Sequence, residues 1–233
     1  MAERKNPLGQ PIGEDVHWHP ASPPPRQSLN GQFCTVAPLD IARHASDLFT
    51  AFSHDKTDGI WTYMAVGPFV TSEDFRTWLQ VQCQGDDPLF HVIIDRITGK
   101  ATGLAALMRI DADMGVIEIG SISFAPCLQR TQAATEAMFL LMQQAFSLGY
   151  RRYEWKCDAL NEGSRRAAER LGFTFEGIFR QAVVYKGRNR DTAWYSILDS
   201  EWPALETAFK KWLDPQNFDA KNQQIQNLGA FMP

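Results

Sequence analysis

The feature that most limits the fold is a junction in mid-chain. Val116 to Phe124 alternates as a β-strand does, and Pro126 stops it. Thr131 to Leu148 then repeats apolar residues at helical spacing, through Ala134, Met138, Leu141, Met142, Ala145 and Leu148, and ends at Gly149. A strand feeding so long a helix is a crossover, the connection from which α/β sheets are built. Side chains flip at every strand residue. The spacing therefore predicts Glu118, Gly120, Ile122 and Phe124 on one face, with Ile117, Ile119, Ser121 and Ser123 on the other.

Elements on either side of the junction fit one sheet. Cys34–Val36 reads as a strand, Leu39–Phe49 as a helix with Asp40 near its start, and Ser72 as the N-cap of a second helix carrying Phe75, Trp78 and Leu79 on one face. Phe90–Ile94 and Thr102–Met108 flank a polar turn in which Gly99 can take φ > 0, so they form a hairpin that Val116–Phe124 extends into a meander. Tyr153–Cys157 is a further strand, and Asn161–Leu171 a helix closed by Gly172. Val183–Tyr185 and Ala193–Ile197 make a last hairpin around residues 186–191, and a helix runs through Leu205, Phe209 and Trp212. The predicted fold is a single α/β domain: a central twisted mixed sheet flanked by helices over residues 31–202. A Pro-rich extension (1–30) precedes it, and a C-terminal helix and polar tail (203–233) follow.

Composition narrows the function classes. Lys and Arg number 23 against 27 Asp and Glu among 233 residues, a net charge of −4, so a protein that coats nucleic acid is not expected. No apolar run approaches the roughly 18 residues of a membrane span, and the N-terminus lacks the apolar segment of a signal peptide, so a cytoplasmic protein is expected. Cys34, Cys83, Cys127 and Cys157 are too far apart for a zinc or redox motif and read as free thiols, and no metal is expected. His17-Trp18-His19 has no third ligand in view and reads as packing.

The loop at the junction is Ala125-Pro126-Cys127-Leu128-Gln129-Arg130-Thr131-Gln132-Ala133-Ala134-Thr135. Downstream stand Asn161-x-x-Ser164 and Arg170-Leu171-Gly172-Phe173. In this order the segments resemble the GNAT superfamily of N-acetyltransferases, in particular the branch of the ribosomal-protein alanine and serine N-acetyltransferases. The likeness runs from about Phe33 to Trp202. It implies acetyl-coenzyme A as co-substrate, direct transfer to a primary amine on a protein N-terminus or a small molecule, and often a homodimer. The family's pyrophosphate loop corresponds to Gln129, Arg130, Thr131, Gln132, Ala133 and Ala134, with Gln132 where a glycine is usual. Amides from Arg130 to Thr135 at a helix start would bind a diphosphate, and Phe124 at the strand end is grouped with these cofactor-binding residues.

Three residues are candidates for the chemistry. Glu118, partly desolvated on a central strand, has the environment that lifts a carboxyl toward general-base range; alternatively it stands at an exposed strand start, paired with Arg109 or Arg151. Asn161 and Ser164, three apart at a helix start, can face one spot; the resemblance puts the asparagine on the pantetheine arm and the serine beside the sulfur, whereas capping alone would also account for Asn161. Many relatives carry a tyrosine general acid where this chain has Ala168, so protonation of the leaving thiolate falls to Ser164, to water or to no group. Cys157 reads as a small core residue rather than an acyl carrier. Trp61, Tyr63, Pro68 and Phe69 could wall a cleft or cover the core, and Arg180, Lys186, Arg188 and Arg190 could meet an acidic acceptor or be solvated. The rival classes are a non-catalytic acyl-coenzyme A sensor and an interaction module built on the Pro-rich head.

Overall fold

The computed structural model describes residues 4–221 and 223–233; the first three residues of the Pro-rich extension and Asn222 of the polar tail lie outside them. One eight-stranded mixed sheet organises the chain, with β1 (Leu29–Asn30), β2 (Cys34–Pro38), β3 (Leu89–Asp95), β4 (Ala101–Asp111), β5 (Val116–Phe124), β6 (Arg152–Asp158), β7 (Thr174–Tyr185) and β8 (Arg188–Leu198) in the spatial order β1-β2-β3-β4-β5-β6-β8-β7. All neighbours pair antiparallel except β5 and β6, which the crossover makes parallel. The expected single α/β domain is the one observed.

The crossover helix α3 (Gln132–Ser147) covers one face of the sheet, and Thr131 caps it by accepting the Ala134 N–H at 3.1 Å. Beside it lies α5 (Trp202–Trp212), joined through stacked rings such as Phe146 on Trp202 at 4.8 Å. Buried on α3, the Glu136 carboxylate accepts the N–H groups of Gln32, Phe33 and Cys34 at 2.6–2.8 Å, which fastens the β1–β2 turn to the helix. The other face is covered over β2–β4 by α1 (Ile41–Phe52) and α2 (Ser72–Gln82), whose Phe52 and Phe75 meet Trp61, Phe69, Trp78 and Phe90 in one aromatic cluster.

Three local expectations are corrected. Thr71, not Ser72, caps α2, accepting from the Asp74 N–H at 3.1 Å; Ser72 is the first helical residue. The last hairpin turns on Lys186 and Gly187 alone, both at positive φ (48° and 68°), so β8 already starts at Arg188 and β7 reaches back to Thr174. The strict alternation of β5 also fails. Ala106 faces Gly120 but Leu104 faces Ser123, so three steps of β5 match two of β4, and Ser121 takes φ 49° in the resulting bulge. Beyond it the phase inverts: Ile122 and Phe124 pack toward α3 with Ile117 and Ile119, and only Gly120 stays on the side of Glu118.

Outside the sheet, Trp18 donates its indole N–H to the Gly149 carbonyl at 2.8 Å, a packing role, while His17 and His19 are exposed. Leu228 in the tail is buried in the core on the α3 side. None of the four cysteines is paired. Among the described residues no cluster of His, Cys, Asp or Glu fits a metal ion, and no helix is long and apolar enough to cross a membrane.

Candidate active site

Two neighbouring strands that part company create the site. β5 and β6 pair only from Val116–Arg152 to Ile119–Trp155; beyond that rung β6 keeps its ladder with β8 alone, and β5 runs on through its bulge to Phe124. The opening between Gly120–Phe124 and Lys156–Asp158 leaves strand backbone facing a gap instead of a partner. It is bounded at one end by the loop into α3 and on the β6 side by the start of α4 (Glu162–Arg170).

Glu118 stands just below the point of divergence, 5% exposed. Its Oε2 lies 2.9 Å from Lys156 Nζ and 3.3 Å from Arg109 Nε. Arg109 reaches it from a second bulge, at φ 49°, whose N–H groups at Arg109 and Ile110 are held by Asp87. Burial pushes the Glu118 carboxyl above its ordinary value, against the pull of the Lys156 ammonium and, more weakly, of Arg109. Both sequence expectations are therefore partly met: the group is desolvated, and it is paired with Arg109, not with Arg151, whose guanidinium lies over Trp18.

Sequence reasoning missed the neighbours that matter most. Lys156 Nζ also contacts Glu154 Oε2 at 2.7 Å and sits 3.7 Å from the centre of the Trp194 ring. Glu154 takes Arg152 at 2.7 Å, and Arg152 forks onto Glu176, which also accepts the Ser196 hydroxyl. Burial pushes Glu154 up as well, but Lys156 and Arg152 together hold it below the usual carboxylate value. The signal was present: Arg152, Glu154, Lys156 and Asp158 alternate with Tyr153, Trp155 and Cys157, which marks a strand with one charged and one apolar face.

At the helix start beyond β6, Asn161 Oδ1 accepts the Ser164 N–H at 3.0 Å, so Asn161 is the N-cap of α4. Its side-chain nitrogen has no partner among the described residues. Ser164 Oγ accepts the Trp155 indole N–H at 3.0 Å, and its own proton faces the Cys157 sulfur. Burial pushes the Cys157 thiol up against the pull of this hydrogen bond. A protonated, buried thiol is a poor acyl carrier.

In the loop before α3, Arg130 is the residue in the left-handed region, at φ 62°; Gln132 opens the helix. The Thr131, Ala134 and Thr135 amides are taken by Leu128 O, Thr131 Oγ1 and Thr131 O, while those of Arg130 and Ala133 have no partner among the described residues. Ala133 and Ala134 point their methyls into the core, and Gln129 folds back to donate to the Phe124 carbonyl at 2.9 Å. This loop, Phe124 and Asn161–Ser164 border the same opening, with Glu118 at its base.

The aromatic segment after α1 is drawn over the site. Lys186 Nζ donates to the Trp61 carbonyl at 2.9 Å, Arg188 to the Thr62 carbonyl at 2.7 Å, and the Tyr63 hydroxyl to the Leu160 carbonyl at 3.1 Å. Trp61 and Phe69 belong to the core cluster, and two of the four hairpin cations are engaged with backbone.

A family model described as an acetyltransferase (GNAT) domain matches residues 35–174. Among solved structures, a GCN5-related N-acetyltransferase from Brucella melitensis is 51% identical over 92% of this chain and 98% of its own, with a TM-score of 0.90. A probable acetyltransferase of the GNAT family from Chromobacterium violaceum is 40% identical over 86% and 100%, with a TM-score of 0.78. RimL, a ribosomal-protein acetyltransferase solved with coenzyme A, shares the fold at 20% identity and a TM-score of 0.61, over 72% of this chain and 95% of that one. No curated protein is matched by the sequence.

Proposed function

Because the chain belongs to the GNAT family of acetyltransferases, whose acetyl donor is acetyl-coenzyme A, we propose that it acetylates a primary amine by direct transfer at the opening between β5 and β6, with Glu118 as the base. The observation that carries this reading is the coincidence of a parted strand pair with a buried carboxylate at its apex. An extended arm bearing amide groups, such as pantetheine, can pair with the strand backbone that β6 leaves free, so the residues present fit the donor. Acetyl-coenzyme A supplies the acetyl group as a thioester. The Arg130 side chain and the amides of Arg130 and Ala133, which have no partner among the described residues, would hold its pyrophosphate, and Asn161 its arm.

The chain's own part in the chemistry is proton handling and alignment. An acceptor amine arrives as an ammonium and must lose a proton before it can attack; Glu118 takes it, directly or through a water. Ser164, whose oxygen accepts from Trp155, can turn its O–H from Cys157 to hydrogen-bond the departing sulfur, which takes its proton from water. Holding amine and thioester in line removes an entropic barrier of up to about 7–11 kcal/mol. Likeness to the ribosomal-protein branch favours a protein N-terminus as acceptor, with alanine or serine first.

The test is calorimetric titration with acetyl-coenzyme A, followed by thiol release on adding peptides that begin with Ala or Ser, and then a panel of small amines. Binding with amine-dependent release is expected. Binding with no release from any amine would replace the transferase with a sensor, and failure to bind would remove the donor site.

A further inference from the structure

The geometry points to Lys156 as the positioning residue of this site: seated between two carboxylates at the apex of the opening, its ammonium holds Glu118 in the ionised form and in place for proton abstraction. The inference rests on the proposed role of Glu118. Three observations converge on it. Glu118 and Glu154 are direct partners across the parallel pair, so they stand on the same face, and both are buried. Like charges in that relation repel, and two carboxylates that share a dry site cannot both stay ionised unless a cation lies between them. Lys156 Nζ lies between them, 2.9 Å from one and 2.7 Å from the other.

Lys156 itself is fixed. It is the first β6 residue beyond the last β5 rung, it is directly paired with Trp194 of β8, and its ammonium lies against that indole face, which packs on Phe179 of β7 at 4.5 Å. Its side chain is 8% exposed, so water contributes little to screening. The other charged groups around the pair are Arg109 on β4, 62% exposed and 3.3 Å from Glu118, and Arg152 on β6, which serves Glu154 and Glu176. The 3₁₀ turn Gly59–Trp61 that approaches β5 carries no charged side chain. Lys156 is thus the buried cation that both carboxylates share, and Arg109 is a more exposed auxiliary.

The test reads the Glu118 carboxyl directly, by ¹³C NMR titration of full-length protein labelled at the glutamate side-chain carboxyl carbon, with the resonance assigned through E118Q. K156M is expected to raise the Glu118 midpoint by about 1–3 pH units, because Glu118 then faces burial and the Glu154 charge with only the more exposed Arg109 to offset them. E154Q, which leaves Lys156 to Glu118 alone, is expected to lower it by about one unit. K156R should keep it near wild type, and R109A should move it less than K156M. With the Ala- and Ser-initiated peptides as acceptors, the acidic limb of kcat/KM should follow the same order. An unmoved midpoint in K156M, or one that fails to fall in E154Q, overturns the inference; E154Q keeps it testable if K156M does not fold. A role in packing alone would lower activity equally at all pH values. Were E118Q to acetylate these peptides at the wild-type rate, the base reading would fail on its own account, whatever the titration gave.

Discussion

The face of the sheet that carries Glu118 is divided into two halves buried by opposite means. Over β2–β4 it is dry and aromatic: Phe52 of α1, Phe75 of α2, Trp61 and Phe90 are at most 4% exposed. Over β5–β8 it is charged, with Glu118, Glu154 and Lys156 hardly more exposed. Burying rings stabilises a fold by about 1.5–3 kcal/mol per side chain, whereas burying ions costs several kcal/mol each before their attraction returns part of it. A buried charge cluster therefore adds little net stability to a fold, and its place at the apex of the opening is in keeping with the site proposed there.

The largest effects should separate the two halves by readout. Glu118→Gln is expected to lower turnover about 10²–10⁴-fold, the usual worth of a general base, while unfolding free energy at neutral pH changes by less than about 1 kcal/mol, since Lys156 keeps Glu154. Phe75→Ala should do the reverse. Fully buried among Phe49, Phe52, Phe69 and Trp78, it should cost about 3–5 kcal/mol in denaturant unfolding and leave turnover per folded molecule nearly unchanged. Equal loss of activity in both variants would erase the distinction.

A titratable group without a counter-ion sharpens the contrast. His91 on β3 is fully buried, its Nε2 has no partner among the described residues, and burial pushes its pKa down to about 4. A lowered histidine favours the folded state while neutral, so its contribution is complete above the unfolded value near 6.5 and is lost as pH falls toward 4. At about 1.4 kcal/mol per pH unit, the chain should lose about 2 kcal/mol from this group between pH 6.5 and 5. His91→Leu should flatten that stretch of the stability curve, and an unchanged slope would assign the acid sensitivity elsewhere.

Much of this was legible in the sequence, for reasons of period. β5 matches its predicted bounds, α3 is off by only the cap residues, and Gly99, Gly149 and Gly172 all take the positive φ that a turn or helix end needs. What was not legible depends on partners. A bulge leaves no mark in a strand's own residues, because it is a mismatch of step count with β4; Ser121 gave no warning that Ile122 and Phe124 would change face. Nor can one strand tell which charge lies across from it. Glu118 was visible as a candidate, but Lys156 gained its meaning only when the crossover set β6 beside β5 with Glu154 in register. The loop before α3 was singled out by its motif, yet that Thr131 caps the helix through the Ala134 N–H is seen only in the structure.

The smallest expected effect bears on the border of the cleft, where cap and contact coincide in Asn161. Its Oδ1 caps α4 through the Ser164 N–H, and its side-chain nitrogen has no partner among the described residues. Asn161→Ala should cost about 1 kcal/mol of stability through the cap. Asn161→Asp keeps an oxygen for the cap and adds a charge favourable to a helix start, so stability should return. Affinity for acetyl-coenzyme A, measured by calorimetry, should fall in both variants if the nitrogen donates to the pantetheine arm, because aspartate has no N–H. Recovery of affinity together with stability in the aspartate variant would make Asn161 a cap only, and the charged half of the sheet would then carry the site with less help from α4.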